Sequence, residues 1–109
     1  MDQKLQESIL ENALLIQEHR KALHEAREKS IEAKEEYKDA EARYVITGII
    51  GKNEQERTAN LRRFLEEYRK SLSQAERVER IAALNLELSL DARRSLESIV
   101  KLMEAENGL

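Results

Sequence analysis

The stretch of the chain that comes closest to a chemical motif is residues 48–53, which read GIIGKN. A phosphate-binding loop of the Walker type needs four residues between its glycines, a Ser or Thr after the lysine, and a preceding strand. Here two residues separate Gly48 from Gly51, Asn53 follows Lys52, and the preceding residues have helical periodicity. We therefore expect no nucleotide hydrolysis and interpret the glycines as residues that end a helix.

The two histidines, His19 and His24, are the next candidates for chemistry. Side chains five residues apart on a helix point about 140° away from each other, so this pair cannot share a metal ion. The di-iron bundle motif also needs a glutamate three residues before each histidine, where this chain has Ile16 and Lys21. The chain has no cysteine and no Ser/His/Asp set that folding would gather. We expect no metal, no other cofactor and no enzymatic activity.

Positive charge is concentrated between residues 43 and 63, although the whole chain has a formal net charge of -3. The five cations of this segment, opposed by two anions, are Arg43, Lys52, Arg57, Arg62 and Arg63. A basic segment beside the start of a helix can receive an acidic side chain or a phosphate. We interpret it as a tip that binds a protein partner, with nucleic acid as the less favoured ligand because the chain is acidic overall. The alternative is a solvated helix end.

The residues before this tip have the periodicity of a long helix. Charged residues make up 38% of the chain, aromatic residues 4%, and there is no proline. Apolar or small residues recur in alternating steps of three and four, which predicts a coiled-coil helix from about residue 2 to 46. This predicted seam comprises Leu5, Ile9, Asn12, Ile16, His19, Leu23, Ala26, Ser30, Ala33, Tyr37, Ala40 and Tyr44.

A short turn, at about residues 47–53, separates this helix from a second one. Gly48 suits the left-handed position after a helix end, and Ile49 would then pack back on Tyr44. Asn53 followed by Glu56 is typical of an N-cap with its capping-box partner. A stop and a start so close together predict antiparallel neighbours.

The second helix is expected from about residue 54 to 106. Its predicted seam comprises Leu61, Phe64 or Leu65, Tyr68, Leu72, Ala75, Val78, Ala82, Leu86, Ser89, Ala92, Leu96, Ile99 and Met103. Folding the helices about residue 50 pairs numbers that sum to about 101, which places Tyr37 on Phe64 and Asn12 opposite Ser89. The sequence thus predicts a single all-α domain, residues 1–109, made of two long helices in an antiparallel coiled-coil hairpin.

Leucines near the chain ends exceed what one partner helix can cover. Residues 84–90 alternate apolar and polar, a strand pattern in isolation, but their flanks favour helix. We interpret the surplus leucines as an oligomer interface, and they are Leu10, Leu14, Leu84, Leu88 and Leu90. A homo-oligomer, preferably a dimer that forms a helical bundle, would bury them. The alternatives are a chain tail that folds over them and an unrelated protein partner.

The stretch from Tyr44 to Arg57, followed by Ala59 and Leu61, resembles a turn of small coiled-coil proteins from bacteriophages and prophages. Those proteins are mostly of unassigned function, and the resemblance implies a cytoplasmic bacterial or phage context with no catalytic residues. No apolar run is long enough to cross a membrane. We expect a cytoplasmic, non-enzymatic, self-associating interaction or scaffold protein. The alternative is a nucleic-acid-binding accessory factor that uses the basic tip.

Overall fold

The computed structural model describes residues 2–48 and 50–108, and these form two helices. Helix α1 is Gln3–Thr47 and helix α2 is Glu54–Asn107. Hydrogen bonds and ring contacts join the two helices, and no strand occurs in the described residues. The all-α helical hairpin is confirmed. Residues 84–90 are helical, so their strand-like alternation was a misleading local pattern.

The chain divides into two compact units. We call Met1–His24 together with Arg80–Leu109 the terminal unit, because it contains both chain termini. We call Glu25–Glu79 the turn unit, because it contains the connection between the helices. The surfaces and contacts described below each belong to one of these units.

The inward face of α1 agrees with its predicted seam. All twelve seam residues from Leu5 to Tyr44 are buried or half-buried, and every other residue of Gln3–Thr47 is exposed. A seam repeating every 3.5 residues stays on one side of a slightly underwound helix, so the partner helix can cover it within each unit. The heptad pattern therefore determines which face of α1 is buried.

The inward face of α2 differs from the prediction at three positions. Val78, Ala92 and Ile99 are exposed, whereas Glu79 and Val100 are half-buried. The prediction followed the apolar residues, but the structure keeps alternating steps of four and three, except between Ser89 and Leu96, where the intervening Arg93 is exposed. The buried and half-buried seam positions are Leu61, Leu65, Tyr68, Leu72, Ala75, Glu79, Ala82, Leu86, Ser89, Leu96, Val100 and Met103. Packing against α1 sets this spacing, so a seam position is turned inward even where the apolar residue is its neighbour.

The pairing of the two helices in the turn unit is shifted from the predicted register. Phe64 packs on Tyr44, with ring centroids 4.7 Å apart, and not on Tyr37 as predicted. Tyr68 also packs near Phe64, and the centroids of these two rings are 6.2 Å apart. Helical side chains lean toward the N-terminus of their own helix, so in an antiparallel pair the two sets lean in opposite directions. Contacting residues therefore have larger number sums than a fold about residue 50 implies.

The two glycines in the turn are needed for different structural reasons. Gly48 has φ of +92° directly after the end of α1, the left-handed conformation that was predicted for it. At Gly51 a Cβ atom would lie 2.7 Å from the backbone nitrogen of Arg57, so the first turn of α2 leaves no room for a side chain. The expected contact of Ile49 with Tyr44 lies outside the described residues.

The start of α2 is capped by its own side chains. The backbone N–H of Glu56 donates to Asn53 Oδ1 at 2.8 Å, as the N-cap prediction requires. In return, Glu56 Oε2 accepts from the backbone N–H of Lys52 at 3.3 Å. Asn60 adds a contact that the sequence did not predict, because its side-chain amide donates to the carbonyl of Ile50 at 2.7 Å.

Candidate interaction surfaces

A buried polar cluster occupies the seam of the terminal unit. Asn12 Nδ2 donates to the backbone carbonyl of Ser89 at 3.0 Å, so the predicted opposition of these two residues is confirmed. His19 Nδ1 lies 3.0 Å from Ser89 Oγ. Ser89 therefore sits at a level between Asn12 and His19, which are one heptad apart.

Ser89 Oγ lies between His19 and the backbone of its own helix. It is 3.1 Å from the carbonyl oxygen of Asn85 and 3.0 Å from that of Leu86. Which group donates between Ser89 Oγ and His19 Nδ1 depends on the tautomer of the ring. No group of three or more His, Asp or Glu side chains in residues 2–48 and 50–108 is arranged to hold a metal ion. His19 contributes to the alignment of the helices.

Four of the five leucines predicted to form an oligomer interface are exposed. Their exposed fractions are 62% for Leu10, 53% for Leu14, 52% for Leu84 and 57% for Leu88. Leu90, in contrast, is half-buried. Helix α2 continues to Asn107, and no described residue beyond it folds over the leucines.

These leucines lie on different sides of the terminal unit. A groove of about 670 Å³ runs along one flank, and Ala13 and Glu97 are among the residues that line it. Leu10 precedes Ala13 by three residues and Leu90 precedes Glu97 by seven, so both belong to this groove flank. Leu88 lies two residues, or about 200°, from Leu90 on the helix. The predicted interface residues therefore do not form one continuous face.

One apolar surface of the terminal unit lies on α2 alone, and we call it the uncharged face. It occupies three adjacent heptad positions, an arc of about 100°. Its members are Ile81, Leu84, Asn85, Leu88, Asp91, Ala92, Ser95, Ser98, Ile99, Leu102 and Ala105. One of these eleven residues is charged, whereas 38% of the whole chain is charged. The five large apolar members are exposed by 45–66%.

The one anion of the uncharged face lies at its edge, next to other charged residues. Asp91 Oδ1 accepts from Arg94 Nη1 at 2.8 Å, which places a cation beside the carboxylate. The remaining outward positions of α2 in the terminal unit are mostly charged, and they include Arg80, Glu87, Arg94, Glu97, Lys101 and Glu104. Sequence reasoning did not identify Ile81, Ile99 and Leu102 as surface residues. Ile81 and Leu102 belong to no obvious motif, and Ile99 was assigned to the seam. The signal that identifies them is the lack of charge at three heptad positions over 81–105.

The residues of the predicted basic tip are all exposed, namely Arg43, Lys52, Arg57, Arg62 and Arg63. On α2, Arg62 and Arg63 lie about 140° and 240° around the helix from Arg57. Their guanidinium groups therefore surround the helix and do not form one patch. At the start of α2, Asn53 Oδ1 already accepts from the backbone N–H of Glu56, and the Glu56 carboxylate accepts from that of Lys52, so an incoming anion would compete with both.

No protein-family model, curated protein or solved structure matches this chain. The resemblance of residues 44–57 to the turn of phage and prophage proteins therefore stays a prediction. Within the described residues, no helix combines the length and the apolar character that a membrane span needs.

Proposed function

We propose that this chain is a non-enzymatic coiled-coil interaction protein that associates with itself through apolar residues of the terminal unit. The observation that carries this proposal is the exposure of large aliphatic side chains there, by about half or more, on both helices. The exposed residues are Leu10, Leu14, Leu15, Ile81, Leu84, Leu88, Ile99 and Leu102. An exposed apolar surface of this extent on a small chain is typical of an association site.

The proposed assembly would present its basic tip to a second protein. Arg57, Arg62 and Arg63 surround the start of α2, which suits an acidic partner that wraps the turn better than a single phosphate. This scaffold function needs no catalytic group and fits the cytoplasm of a bacterial or phage-infected cell.

Analytical ultracentrifugation tests the proposed self-association. At tens of micromolar, the native protein should sediment with at least twice the chain mass of 12.7 kDa. Burying the exposed half of a leucine contributes about 1 kcal/mol, so polar substitutions should dissociate the assembly. Replacing Leu10, Leu14, Leu84 and Leu88 together with Gln should give one chain mass while the far-UV circular dichroism stays helical. A native protein that sediments as a monomer would contradict the proposal.

A further inference from the structure

We propose that the uncharged face of α2 binds the same face of a second copy, with the two α2 helices antiparallel about a two-fold axis near residues 91 and 92. This inference rests on the proposed self-association and specifies its surface. It assigns Leu10 and Leu14, which were predicted as interface residues, to positions outside the contact between copies.

The spacing of four of the five large residues on this face is unchanged when the helix is reversed. Ile81, Leu84 and Leu88 lie at one end, Ile99 and Leu102 lie at the other, and small residues lie between them. When two antiparallel copies pair so that the numbers of facing residues sum to 183, every large residue faces either another large residue or a small uncharged one. The resulting pairs are Ile81 with Leu102, Leu84 with Ile99, and Leu88 with Ser95 of the second copy. Because Ala92 and Ser95 are small, the helix backbones can approach closely near the axis.

The lack of charge on this face also suits a second copy of the same face. The face has no cation and one anion, Asp91, which Arg94 already neutralises, so two copies meet without like-charge repulsion at the centre. A two-fold axis perpendicular to the helices brings the same edge of each face together. Glu87 and Arg94 share that edge and have a number sum of 181. Each Glu87 therefore lies across from Arg94 of the second copy. Arg80 and Lys101 share the same edge and number sum and face each other as like charges, so the edge charges offset one another and the uncharged residues of the face carry the pairing. The groove flank, in contrast, has charged residues along its rim, including Arg20, Arg93 and Glu104.

Distances between spin labels test the direction of the pair, and the absence of cysteine from the chain allows clean single labelling. In an antiparallel dimer, labels at Ala92→Cys lie near the axis, within about 20 Å of each other. Labels at Ala105→Cys are separated by about 40 Å along the helices, because the helix rises ~1.5 Å per residue. This combination in double electron–electron resonance supports the proposal. Short distances at both positions would show a parallel pair and overturn it.

Matched substitutions test which face is used. Leu84→Gln with Leu88→Gln should raise the dimer dissociation constant by about 1,000-fold, because the change removes four half-exposed leucines from one dimer. Ile31→Gln with Val45→Gln is the control, because these side chains are about equally exposed and lie in the turn unit, and it should leave the constant unchanged. A dimer that dissociates with Leu10→Gln and Leu14→Gln but not with Leu84→Gln and Leu88→Gln overturns this inference and leaves self-association intact. A native monomer at tens of micromolar overturns both.

Discussion

Two serines occupy seam positions of the hairpin, and their hydroxyl groups are in opposite situations. Ser89 is buried in the terminal unit and its hydroxyl contacts two carbonyls of its own helix and the ring of His19. Ser30 is buried in the turn unit, and among the described residues its Oγ has no hydrogen-bond partner. A buried hydroxyl that is satisfied stabilises the fold modestly, whereas an unsatisfied one costs about 1–3 kcal/mol.

The same substitution should therefore have opposite effects at these two positions. Ser30→Ala removes an unsatisfied polar atom and improves helix propensity, so the free energy of unfolding should rise by about 1 kcal/mol. Ser89→Ala removes the hydrogen-bond partner of His19 Nδ1, so the free energy of unfolding should fall by about 1 kcal/mol. Urea unfolding followed by circular dichroism measures both. Changes of equal sign would contradict the assigned hydrogen bonds.

At the scale of the element, α2 keeps its heptad spacing even where a residue fits it poorly. The pattern of fours and threes brings Glu79 to a half-buried seam position and leaves its neighbour Val78 exposed by 43%. A glutamate can lie there because its aliphatic stem covers the seam while its carboxylate reaches water. The regular heptad spacing is thus kept, although one seam position holds an unfavourable charged side chain.

Replacing Glu79 with Leu should stabilise the protein, because the leucine would fill the seam without a charge to solvate. We expect the free energy of unfolding to rise by about 1 kcal/mol, the value of partly burying a leucine. Glu76→Leu is a control with the same change of charge at an exposed position of the same helix. Its effect should be less than about 0.5 kcal/mol, as for most surface substitutions. Equal stabilisation by both variants would show that the effect comes from charge, and the seam position of Glu79 would be wrong.

The existence and limits of both helices could be predicted from the sequence, because local signals mark them. The predicted ranges 2–46 and 54–106 differ by one residue at three of their four ends from Gln3–Thr47 and Glu54–Asn107. Gly48 and the Asn53 cap are strong signals that depend only on nearby residues. The seam of α2 and the register could not be predicted fully, because they depend on the partner helix and on the lean of its side chains.

At the scale of the whole molecule, the candidate surfaces were predicted less well than the fold. Exposure of Leu84 and Leu88 followed from their helical positions, but the place of Leu90 on the groove flank did not. A surplus of leucine in the sequence shows that part of the surface is apolar. Which side of the hairpin this surface occupies depends on the position of the seam. Once the seam of α2 is known, the lack of charge over 81–105 becomes one continuous face. The basic segment, conversely, is compact in sequence and dispersed around the helix in space.

The dispersed positive charge of the tip makes a prediction about how the chain binds acidic molecules. Each exposed cation contributes about 0.2–1 kcal/mol to a contact, so three together change an affinity by roughly tenfold. Replacing Arg57, Arg62 and Arg63 with Gln should weaken binding of fluorescent polyglutamate by about that factor in low salt. The helicity should not change, because all three side chains are exposed.

The control for the tip changes the net charge equally at other exposed positions, with Arg27, Arg69 and Arg77 replaced by Gln. Fluorescence anisotropy with polyglutamate and with duplex DNA compares both variants with the native chain. If the tip is a binding surface, only the tip variant weakens the polyglutamate complex, because contact charges act over about one Debye length, ~10 Å at 0.1 M salt. Equal losses in both variants would show that overall charge determines binding and that the tip is a solvated helix end. Tighter binding of DNA than of polyglutamate, lost in the tip variant, would instead favour the nucleic-acid-binding alternative.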